Sequence, residues 1–128
     1  MGLIIVKIIK SQFQNKYMGR VSNINFQVHL DDKNIPEKII WSAEEGQKET
    51  EAKAFLLSVL DKESKDTLKL DLWTKELQVN EMDKLIYNTL SSLADTYYNS
   101  TNNQVLANHI KNFAQFFGEE TEVIAPKS

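Results

Sequence analysis

The chain has 128 residues, 41% apolar and 26% charged, as in an ordinary soluble globular domain and unlike a disordered tail or a fibrous repeat. It contains no cysteine, which excludes a disulfide framework, a thiolate zinc site, a cysteine nucleophile and a lipidated N-terminal cysteine. Fifteen basic against eighteen acidic residues give a net charge of −3, which offers no footprint for nucleic acid.

Residues 1–17 stand apart. Leu3 to Ile9 form an apolar run broken by Lys7, far shorter than the roughly 20 residues of a bilayer span. No basic stretch precedes the run and no small-residue cleavage site follows it, so it does not read as a secretory signal. The segment carries Lys7, Lys10 and Lys16 and no acid, which leaves 15 − 3 = 12 basic and 18 acidic residues, a charge of −6, from Met18 onward. Three readings stand: an edge strand, a basic amphipathic peptide on a membrane surface, or an extension upstream of a natural start at Met18. The last is preferred, because a bare β-prone apolar run on a sheet edge invites aggregation. Residues 18–128 are then expected to form a single domain.

From there the chain reads in order. Ile24, Phe26, Val28 and Leu30 alternate with polar residues, the period of a half-buried strand. Residues 31–34 supply turn chemistry, and Pro36 opens a second strand in which Ile39, Trp41 and Ala43 share one parity, so the two make an antiparallel hairpin. After a polar turn with Gly46, Ala52, Phe55, Leu56, Val59 and Leu60 fall at helical spacing, with Glu49 and Lys53 as an i,i+4 pair. Leu68, Leu70 and Leu72 alternate in a third strand. Asn80 and Asp83 mark the start of a helix of about five turns. Asn99 to Asn103 break it. Leu106, Ile110, Phe113 and Phe117 stripe a last helix ending at Gly118 in the position that favours a left-handed residue. The expectation is an α+β domain of order β-β-α-β-α-α, a three-stranded antiparallel sheet with three helices on one face.

Reactive sites are hard to place. With glycine only at 2, 19, 46 and 118, no loop can cradle a phosphate in a glycine-rich style. His29 and His109 lie far apart and fit no metal spacing. Asp31, Asp32 and Asn34 lack the glycine and closing glutamate of a calcium loop. Asn99-Ser100-Thr101 matches a glycosylation acceptor, a triplet common by chance, and no serine sits in a nucleophile elbow. The expectation is a non-enzymatic protein with no catalytic residue, metal or cofactor. If the leucines of the third strand face the helices, Trp73 points to the opposite, polar face. Ile40 shares that parity problem, with His29, Lys69 and Asp71 nearby. These five residues are the candidate partner-binding patch. The alternative is that Trp73 folds under residues 74–79 at the strand's end.

Residues 24–41 (INFQVHLDDKNIPEKIIW), 51–61 (EAKAFLLSVLD) and 67–82 (TLKLDLWTKELQVNEM) together resemble the gliding-motility protein GldC family of the Bacteroidetes. Ala94-Asp95-Thr96 and the terminal Phe116-Phe117-Gly118 fit as well. The resemblance implies an accessory protein of the gliding apparatus, associated with type IX secretion, binding other motility or secretion components without chemistry. It supplies no catalytic residue or cofactor to carry over. A peptide-binding or chaperone-like module that uses a sheet edge is the competing expectation. Neither reading involves nucleic acid or membrane insertion, both allow a homo-oligomer, and the expected compartment is the cytoplasm.

Overall fold

A computed structural model describes residues 19–126, which fall into two compact units, one ending at Leu77 and one beginning at Gln78. The expectations for residues 1–17 lie outside the described residues.

The first unit is all β. Strands β1 (Ile24–Leu30), β2 (Pro36–Ala43) and β3 (Gln47–Ala52) form one antiparallel sheet in that order, and β4 (Ala54–Leu60) pairs with β5 (Thr67–Trp73) in a second. The β1–β2 hairpin follows its alternation. Val28 faces Ile39, Phe26 faces Trp41 and Ile24 faces Ala43, so the apolar parity of both strands lies on one side. Ile39, Trp41 and Ala43 are buried there, with Phe26 and Ala52 packed against Trp41 and Ala43. Phe26 stacks on Trp41 at 6.1 Å and meets Phe55 of β4 at 4.8 Å, which ties the base of the second sheet to the core of the first.

The expected single sheet with three helices is overturned, because residues 47–60 form two strands and no helix. Gly46, at φ 112°, turns the chain tightly so that Glu51 lies opposite Ile40 and Ala52 opposite Ile39. The glutamates and lysines here favour helix on their own, but cross-strand pairing of the backbone overrides that weak preference. A short apolar run such as residues 54–60 fits a helix stripe and a strand equally well. At Lys53 the chain bends between the sheets, and its carbonyl still accepts from the N–H of Thr74 at 2.8 Å, prolonging the β4–β5 ladder.

The second unit is a helical hairpin of α1 (Val79–Thr101) and α2 (Gln104–Glu120). Helix α1 starts one residue before the expected Asn80 and runs past six turns. Its cap is Gln78, with the Glu81 carboxylate accepting from the Gln78 N–H at 3.0 Å. Asn102, left-handed at φ 60°, ends it, and Asn103 caps α2 by accepting from the Leu106 N–H at 3.1 Å. Helix α2 does not stop at Gly118. That glycine is buried inside the helix, where an added Cβ would stand 2.6 Å from Tyr87 Cε1 and 2.9 Å from Ile124 Cγ1. It permits close approach of the helices, and the left-handed residue falls later, at Glu122. Ala94, Ala107 and Ala114 are buried along the same seam.

Candidate functional site: an apolar face on a strand pair

Antiparallel pairing puts Phe55 beside Leu72, Leu57 beside Leu70 and Val59 beside Leu68, so six apolar side chains share one face of the β4–β5 pair. Burial fades along it. Phe55, at the base, is 8% exposed; Leu57 and Leu70 rise to 37% and 49%, and Val59 and Leu68 to 46% and 59%. A sheet face of this kind normally lies under another layer, and toward its tip this one is open. The hairpin tip is firm, since the Asp61 carboxylate accepts from the N–H groups of Glu63 and Ser64 at 3.1 and 2.8 Å. Those bonds hold its carboxyl below the usual aspartate range.

The opposite face holds three of the five sequence-derived candidates. Lys69, Asp71 and Trp73 alternate along β5, across from Ser58, Leu56 and Ala54. Lys69 and Asp71 form an ion pair with each other, and Trp73 is 54% exposed. The remaining two stand on the first sheet. Ile40 lies opposite Gln27 and Glu51, and His29 opposite Lys38, on the polar parity of β1 and β2. The five therefore divide between two sheets, because the single sheet expected to carry them is split at Lys53. The leucines of β5 have the expected parity, but Leu68 and Leu70 are exposed where the sequence placed them in a core.

One contact escaped the sequence reading. Asp31, in the β1–β2 turn, accepts from the N–H groups of Lys33 and Ile35 at 2.8 and 3.0 Å through Oδ1, while Oδ2 pairs with Lys75 Nζ at 2.5 Å. Lys75, followed by the two backbone donors, lowers the Asp31 pKa to about 2. The pair clasps the turn after β1 to the segment after β5, which are neighbours in space and 44 positions apart in sequence. No spacing rule signals such a contact.

Among the described residues no three histidine or acidic side chains gather into a group that could hold a metal, and no helix is long and apolar enough to cross a membrane. The described residues thus define an α+β chain, five antiparallel strands followed by a helical hairpin. Residues 36–123 match the family described as gliding motility-associated protein GldC-like, and the chain belongs to that family, which links it to gliding motility. Comparison with curated proteins and with solved structures gives no match.

Proposed function

We propose that the chain is a non-enzymatic accessory protein of the gliding machinery that binds another motility or secretion component, including type IX secretion, from the cytoplasm. The observation that supports this reading is the open apolar face of Leu57, Val59, Leu68 and Leu70. Contiguous apolar surface bordered by charge is the usual ground for a protein contact, and Lys62, Glu63, Lys65 and Asp66 border this one at the tip. In a gliding host whose chromosomal copy carries Leu57→Lys and Leu70→Lys, colony spreading should fail while the protein stays at its normal level. Spreading that persists would tell against the face.

A second reading has its own support. In a two-stranded sheet each strand keeps an outer edge with no strand beside it among the described residues, and an extended peptide can add there. Saturable binding of extended peptides, undiminished by Leu57→Lys with Leu70→Lys, would favour edge addition; flat titrations would dispose of it.

A further inference from the structure

The helical hairpin carries a second unusual surface. Helix residues advance by about 100° each, and the small-residue seam fixes which sides of α1 and α2 face each other. Ile86, Leu93 and Tyr97 of α1 then fall on the same flank as Leu106, Phe113 and Phe117 of α2. The opposite flank holds Asp95 and Lys111, ion-paired at 3.1 Å beside a shallow depression lined by Tyr98, Gln104 and Asn108. The apolar flank is open at its middle, with Leu93, Leu106 and Phe113 each about half exposed.

Charge is what singles this flank out. Between Lys84 and Glu119 the sequence has two charged side chains, Asp95 and Lys111, and these pair with each other on the far flank. A chain that is 26% charged has therefore left both helices almost bare of charge for most of their length. In a two-fold contact the same patch meets itself and residues near the axis meet their own copies, so a patch carrying net charge repels itself. A neutral apolar flank meets that condition, and charge depletion marks the centre of protein interfaces.

Extent agrees. At about 200 Å² for a full aromatic side chain, the half-exposed residues and their partly exposed neighbours offer on the order of 500 Å² per copy, so two copies reach the roughly 1,000 Å² at which specific interfaces begin. We infer that the occupant is a second copy of this chain. The apolar flanks of two hairpins pack face to face into a four-helix bundle, the arrangement that gives a pair of helices a shared core.

The test uses the full chain. Sedimentation or light scattering at roughly 100 µM, above the micromolar range that an interface of this size supports, should give twice the 14.7 kDa of one chain. Tm should rise with protein concentration, as dimer linkage requires. Phe113→Glu and, separately, Leu93→Glu should halve the mass with helical circular dichroism intact, whereas Asn108→Glu on the charged flank should leave the dimer alone. A single-chain mass with a concentration-independent Tm overturns the inference whatever the variants do. A dimer that survives both Phe113→Glu and Leu93→Glu as folded proteins also overturns it, since its interface then lies elsewhere. If either variant fails to fold, the wild-type mass and the concentration dependence of Tm decide.

Discussion

The two sheets of the first unit use one alphabet to different ends. In the β1–β2–β3 sheet the inward side chains of β2 are covered, with Ile39 and Trp41 buried, while Ile24 and Leu30 at the ends of β1 stay exposed. In the β4–β5 pair the leucines of β5 alternate with Lys69, Asp71 and Trp73, and the row they form with Leu57 and Val59 lies largely in the open. Alternation therefore specifies that a strand has two unlike sides, and neighbours decide whether the apolar side becomes a core or a surface. A two-stranded ribbon is marginal in water by itself. This one is anchored at its base through Phe55 against Phe26 and by the Asp31–Lys75 clasp.

That contrast can be broken by mutation. Trp41→Ala should cost about 3–5 kcal/mol, as for a buried tryptophan, read by chemical denaturation. Thr74, just after β5, is buried and its hydroxyl has no hydrogen-bond partner among the described residues. Thr74→Val should stabilise the protein by about 1 kcal/mol, since it removes a polar group left dry; a loss would mean that the hydroxyl is in use.

The clasp sharpens the comparison through pH. A carboxyl whose folded pKa lies near 2, below its ordinary 3.8, stabilises the fold fully above about pH 4 and loses that contribution as the pH falls toward 2. Asp31→Asn should flatten this acid limb of Tm against pH while changing Tm near neutrality less than Asp31→Ala does, because the amide oxygen still serves the turn. The smallest effect belongs to the open face. Leu70→Lys should shift stability by no more than about 0.5 kcal/mol. A loss rivalling that of Trp41→Ala would show the face to be roofed, and the contrast between the sheets would fall.

Much of this architecture was legible in the residues. The β1–β2 hairpin, its inward parity, the Asp31 turn, the β5 alternation and two late helices broken near Asn102 all follow from local chemistry. Residues 47–60 misled because Ala52, Phe55, Leu56, Val59 and Leu60 satisfy a helical period by coincidence, while what makes them strands is backbone pairing with β2 across the Gly46 turn and with β5 across the 61–66 loop, which the side-chain period does not encode. Gly118 misled for a related reason. Glycine ends helices where it takes a left-handed turn and continues them where a neighbour needs its missing side chain, and the neighbour here is Tyr87. The candidate patch was half legible. Parity put Lys69, Asp71 and Trp73 on one side, but nothing local reveals that Ile40 and His29 belong to a different sheet.

The bend at Lys53 has a consequence for how this chain can vary in length. Strands β3 and β4 are one continuous stretch serving two ladders, with Ala52 opposite Ile39 on one side of the bend and Ala54 opposite Trp73 on the other. A single-residue insertion or deletion there would exchange the inner and outer sides of everything beyond it, turning the leucine row over and carrying Phe55 away from Phe26. The loop at 61–66, between partners that stay opposite each other whatever its size, is free of that constraint. Length changes should accumulate at the tip of the ribbon and be purged at its root.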